Sequence, residues 1–332
     1  MSCSKMSRLV IFLMTLSCAQ FALGQARKAS SSSQKAWMSW EELWEKTHSI
    51  GIRYARMGRF DDAEGSFNEA LKIAEAHFAP GDPRTTSSLC WMSTAVGTRG
   101  KYGESIAFAK RAVELGEAKS GPESLSVARA LDCLGTALMF QGKAKAAEAE
   151  VILKRAIPIF EKELGLGDWE AAKCLMHSGQ ACSVQAKYAE AESFQRRAVA
   201  IAERYYEAGN PNLAAFLESL GRVLTRRGNY AEAEPLLERA LALREKALSP
   251  DHPDIASVLA SLANLRRDMG KLAEAEPLYV KAISISTKSF GPDHSTTARI
   301  QEDYAVLVRK LGRAEEAENL ANDAKANLER SK

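Results

Sequence analysis

Residues Gly228–Pro253 read GNYAEAEPLLERALALREKALSPDHP, and residues Gly270–His294 read GKLAEAEPLYVKAISISTKSFGPDH. The two glycines stand 42 residues apart, and stepping by that interval in both directions finds a ruler through the chain. Its marks are Gly58, Gly100, Gly142, Ala186, Gly228, Gly270 and Gly312, evenly spaced except for a step of 44 into Ala186. Twelve residues after a mark stands alanine: Ala70, Ala112, Ala198, Ala240, Ala282 and Ala324. In the third unit it is Ala156, two places late, which locates a two-residue insertion at KAKA. Seven residues before each mark the side chain is small: Gly51, Ser93, Gly135, Gly179, Gly221, Ala263 and Ala305.

Around each mark the apolar residues recur at helical spacing on both sides, as in SVLASLANLRRDMG and then LAEAEPLYVKAISIS. The unit is therefore a helix, a turn at the mark, and a second, antiparallel helix. The two small columns are where helices cross closely enough to exclude a larger side chain. Pro83, Pro211 and Pro253 follow Asp82, Asn210 and His252, which predicts proline at the first helical position behind a capping residue. Pro158 falls inside a second helix and predicts a kink costing about 3 kcal/mol.

This pattern resembles the tetratricopeptide repeat, and the 42-residue period resembles its kinesin-light-chain type. The residues that carry the likeness are Ala233-Glu234-Pro235-Leu236-Leu237 and Gly291-Pro292-Asp293-His294. The resemblance implies an all-α, right-handed α-solenoid of seven repeats, with the first helices lining a concave groove. Unit boundaries fall at 40–81, 82–123, 124–167, 168–209, 210–251, 252–293 and 294–332. The paired groove asparagines of that type are not matched. Ala260-Ser261, Glu218-Ser219, Met176-His177, Asp132-Cys133 and Cys90-Trp91 stand in their places, so that type's cargo does not carry over.

Residues 1–24 are of a different character. Lys5 and Arg8 precede the apolar run Leu9–Leu16 and a small-residue end at Ala22-Leu23-Gly24, the order of a secretory signal peptide. The run is too short to span a bilayer. Cys18 raises lipoprotein anchoring as a lesser alternative. Residues 25–39 read as a serine-rich linker. Removing residues 1–24 leaves 43 basic against 42 acidic residues, a net charge of +1 that argues against general nucleic-acid binding. Four cysteines then remain, with no CxxC pair and no metal-ligand spacing to histidine. An oxidising compartment would permit a disulfide, but adjacent first helices usually stand too far apart for one, and most of the four read as small buried residues.

No phosphate loop, nucleophile elbow, HExxH helix or dinucleotide fingerprint occurs, so no cofactor or metal is expected. His252 and His294 share one repeat position and read as caps rather than as a catalytic pair. What remains is the groove, supplied by the columns 13, 10, 9, 6, 3 and 2 residues before each mark. In the C-terminal half these hold Arg222, Arg226, Asn264, Arg267 and Arg309, with Arg299 and Lys310, opposed by Glu218, Asp268, Glu302 and Asp303. In the N-terminal half they hold Trp91, Phe140 and His177 beside Arg129 and Lys173. The expectation is an exported, non-catalytic scaffold that binds a protein or peptide, acidic segments included, through Trp91, Phe140, His177, Arg222, Arg226, Asn264, Arg267 and Arg309. The alternatives are a self-assembling structural solenoid and a hydrolase using groove carboxylates. An open groove would not supply the burial that raises a carboxylate pKa, which weighs against the hydrolase.

Overall fold

The structure, a computed structural model, describes residues 38–139 and 141–330. The signal-peptide assignment, most of the linker and Phe140 lie outside the described residues. The chain divides into two compact units, 1–43 and 44–332. Within the first, Ser39 and Glu42 form a reciprocal capping box, each backbone N–H donating to the other's side chain at 2.9 and 3.1 Å. The second unit holds the repeats.

Fourteen helices and no strand are found among the described residues. They run α1 Trp40–Arg56, α2 Phe60–His77, α3 Pro83–Thr98, α4 Tyr102–Ser120 and α5 Leu125–Met139. Next come α6 Lys143–Leu164, α7 Trp169–Val184, α8 Tyr188–Tyr205, α9 Leu213–Arg226 and α10 Tyr230–Ala247. The last are α11 Pro253–Asp268, α12 Leu272–Phe290, α13 Ser295–Lys310 and α14 Ala314–Arg330. Odd-numbered helices are the first of each repeat and even-numbered the second.

The turn marks have one cause. Every one of them has a positive φ, from 61° at Ala186 to 85° at Gly100, the left-handed conformation that ends a first helix and reverses the chain. Ala186 is the only non-glycine residue with positive φ among the described residues, and it carries strain the glycines avoid. The small columns are crossings, as the spacing predicts. A Cβ on Gly135 would stand 2.4 Å from Leu153, and one on Gly221 would stand 2.7 Å from Leu237. All seven alanines twelve or fourteen residues beyond the marks are fully buried.

Two local expectations change in detail. The KAKA insertion is helical, so α6 runs 22 residues and continues through Pro158 without a break in its helical assignment. Pro211 sits in a turn two residues ahead of α9. There the Asn210 side chain accepts from the Asn212 N–H at 2.9 Å, so the cap belongs to the turn and not to a proline-led helix. The other caps hold: Asp82, Asp168, His252 and His294 each accept from the N–H two residues on.

The solenoid also closes on itself. His252 Nε2 donates to the Arg56 carbonyl at 3.0 Å, and His294 Nε2 donates to the Thr98 carbonyl at 2.6 Å. Each histidine uses Nδ1 to accept its capping N–H, which leaves the proton on Nε2 for the long-range bond. Tyr102 and Ser295 pair through their hydroxyls, and the Phe60 and Phe290 rings stack at 5.6 Å. The first two repeats thus touch the last two, and the concave face becomes the inner wall of a superhelical turn.

Candidate functional site

That inner wall is built from the register columns. In repeats two to four, Cys90, Trp91, Asp132, Cys133, Lys173 and His177 line one cavity of about 530 Å³, floored in part by Phe160 and Trp169. Trp91 stacks on Phe67 at 5.3 Å and meets His48 edge-on at 6.1 Å, so its ring is fixed before any ligand arrives.

Charge in this half is neutralised internally. Asp132 is buried and bonds His177 Nδ1 at 2.7 Å and Lys173 Nζ at 3.3 Å. Burial disfavours its ionised form, but these two neighbours outweigh burial and hold the carboxyl at about 2. Arg129 grips Glu170 through two bonds of 2.7 and 2.8 Å. Asp132 therefore contradicts the open-groove expectation: the wall does bury a carboxylate, yet keeps it ionised rather than raising its pKa.

The C-terminal half divides its arginines into two kinds. Arg267 is 4% exposed and belongs to a buried network. It donates to Asp268 at 2.9 Å, to the Tyr279 hydroxyl at 3.0 Å and to the Asp303 carbonyl at 3.2 Å. Asn264 joins the same network, donating to Asp303 at 3.0 Å and accepting from Tyr279 at 2.8 Å. Both are corrections to the expected peptide-binding set. Where other repeats place Phe67, Leu153 or Leu237 against the small column, the sixth places Tyr279, whose buried hydroxyl needs partners and draws both side chains inward.

Arg222, Arg226 and Arg309 are the other kind: exposed, with no ion pair among the described residues. Arg299 joins them. Its own surface is open, yet the wall encloses it, and that enclosure together with the like charge of Arg222 lowers its pKa. Glu218 and Asp303 offset part of that lowering, but neither pairs with these arginines: Glu218 is buried and bonded to Ser257 at 2.5 Å, Ser261 at 3.2 Å and Arg244 at 3.7 Å. On the outer face the opposite holds. Arg196 pairs with Glu232 at 2.6 Å and Arg239 with Glu203 at 2.6 Å, each to the next second helix.

The cysteines also divide. Cys174 and Cys182 are buried, as expected, but Cys90 and Cys133 are half-buried. The Cys133 thiol lies 3.4 Å from the Cys90 carbonyl, so these two are not held apart.

Family profiles for the tetratricopeptide repeat match residues 47–84 and, in overlapping copies, 170–246, 212–267 and 254–330. No curated protein matches the chain. Among solved structures, a Rap protein complexed with competence and sporulation factor is 14% identical, with a TM-score of 0.67 over 91% of this chain and 79% of that one. The Rap conjugation gene regulator of plasmid pLS20, in complex with the Phr* peptide, is 11% identical with a TM-score of 0.67, over 88% and 75%. BtubC of P. vanneervenii is 20% identical with a TM-score of 0.50, over 69% and 89%. At these identities the likeness shows a shared fold.

Proposed function

The chain belongs to the tetratricopeptide-repeat family, and from that premise we propose that it is an exported, non-catalytic scaffold that holds a peptide or extended protein segment against the inner wall of its superhelix. The observation that carries this reading is the contrast between the two faces. On the outer face Arg196 and Arg239 each pair with a glutamate of a neighbouring second helix, whereas Arg222, Arg226, Arg299 and Arg309 are left without an ion-pair partner on the inner wall. Four unpaired cations on one surface suit a ligand with acidic side chains. The cavity beside Trp91 offers the apolar end of the same surface. Two neighbours of the same fold are complexed with competence and sporulation factor and with a peptide, which supports the choice of ligand class.

Exposed charge pairs contribute about 0.2–1 kcal/mol each, so four of them supply about 1–4 kcal/mol, and micromolar binding needs apolar contacts such as those of the Trp91 cavity as well. Calorimetric titration of the chain from residue 25 with acidic and with basic peptides of equal length tests this. Acidic peptides should bind, more weakly as salt screens the contacts, and Arg222→Glu with Arg299→Glu should abolish the heat. Equal binding of both peptide classes, insensitive to salt, overturns the acid preference and moves the ligand to the Trp91 cavity. Export is tested separately by N-terminal sequencing of the secreted or periplasmic fraction, which should begin at Gln25.

A further inference from the structure

We propose that Cys90 and Cys133 are a dithiol–disulfide couple set into the wall of the interior cavity, closed by a disulfide or peroxide oxidant and reopened by thiols. The two cysteines come from α3 and α5, first helices of successive repeats that pack directly on one another. They occupy neighbouring columns, ten and nine residues before their marks, so both side chains emerge on the cavity side. The 3.4 Å contact from the Cys133 thiol to the Cys90 carbonyl brings one sulfur over the other residue, the convergence a disulfide requires. Both are half-buried in a cavity wide enough to admit a small oxidant, while Cys174 and Cys182 are shut away.

The surroundings of the two thiols differ. Hydrogen bonding from the Cys90 thiol, helped by Ser93 and opposed by burial, pulls the Cys133 pKa down, and Lys173 adds a positive charge nearby. The same hydrogen bond and burial push Cys90 up. In the proposed order Cys133 attacks first. With glutathione disulfide as oxidant, the Cys133 sulfur displaces one glutathione thiolate and forms a mixed disulfide. Cys90 then loses its proton, attacks the Cys133 sulfur and expels the second glutathione, so two protein thiols are oxidised as one disulfide is reduced to two thiols. With hydrogen peroxide the intermediate is a sulfenic acid, and water leaves in the second step. The bond staples the second repeat to the third across the face that carries Trp91. This inference does not depend on the peptide reading.

Mass spectrometry of the full chain before and after glutathione disulfide, with maleimide counting of free thiols under denaturing conditions, tests it. The expected product carries no glutathione on Cys90 or Cys133, yields a tryptic peptide joining the two that is lighter by two hydrogens than their sum, and reverts with dithiothreitol. Cys90→Ser should stop at a stable glutathione adduct on Cys133, and Cys133→Ser should take up glutathione many-fold more slowly. Wild-type protein alone decides the central claim if either variant folds poorly. Cys90 and Cys133 both still free after treatment, separate adducts on the two, or a bridge to Cys174 or Cys182 overturns the proposal.

Discussion

The inner walls of repeats two to four and of repeats five to seven are built from the same columns, and they solve the problem of charge in opposite ways. In the first, Asp132 is answered by Lys173 and His177, and Arg129 by Glu170, leaving a cavity whose character is set by tryptophan and cysteine. In the second, the acids are claimed from beneath: Glu218 by serines and Arg244, Asp303 by Asn264 and Arg267. The remaining arginines are left with no partner. A repeat position therefore fixes where a side chain emerges, while its neighbours two helices away decide whether its charge is available to a ligand.

The sharpest way to break this comparison is to exchange the two kinds of arginine. Arg267→Glu puts a carboxylate against Asp268 and Asp303 inside a buried network, and chemical denaturation should show a loss of about 3–5 kcal/mol. Arg222→Glu, on the open wall, should change stability by less than about 0.5 kcal/mol. Equal losses would erase the distinction between structural and available arginines.

Next in size is a titration confined to the N-terminal half. His48 is buried among Trp44, Phe67 and Trp91, and burial lowers its pKa from 6.5 to about 4. The folded state keeps it neutral, so its contribution is complete above pH 6.5 and is lost as pH falls towards 4. The loss should reach about 3 kcal/mol by pH 4. Hydrogen exchange of α1 and α2 against pH should show it, and His48→Gln should flatten that dependence.

Because both halves share one scaffold, overpacking it should not distinguish them. Ala112→Trp and Ala240→Trp, both at fully buried crossings, should each cost about 1–3 kcal/mol in thermal melts. A large disparity would mean that the halves differ in packing and not only in charge. Smallest is a gain at the turn of the fourth repeat: Ala186→Gly relieves a left-handed alanine at φ 61° and should stabilise by about 1 kcal/mol.

The repeat architecture was legible because its signals are steric and local. A left-handed turn admits glycine almost alone, and a close helix crossing admits only small side chains, so both leave periodic marks in the chain. The groove columns followed from that register, and Cys90, Trp91, Asp132 and His177 do line a common cavity. What failed to show was anything set by a partner distant in sequence. Arg267 and Arg309 stand in one column, three residues before their marks, and the Tyr279 hydroxyl draws only Arg267 inward. Cys90 and Cys133 were read as separated because helix spacing alone does not say that their side chains converge. The closure at His252 and His294 depends on small rotations accumulated over several repeats, which no single unit displays.

That closure changes how the molecule comes apart. In an open array each repeat leans only on its neighbours, so the ends fray and the middle outlasts them. Here the terminal repeats lean on each other, through bonds between residues 196 positions apart in the chain. Loss of the seventh repeat would strip Thr98 and Tyr102 of their partners and loosen the second repeat as well, although the two are far apart in sequence. A repeat inserted or removed between the second and the sixth would move the histidines off the carbonyls they meet. Contacts of such separation also come late in folding and slowly. The last event in acquiring the native state is then the meeting of the two ends, and the first event in losing it is their parting.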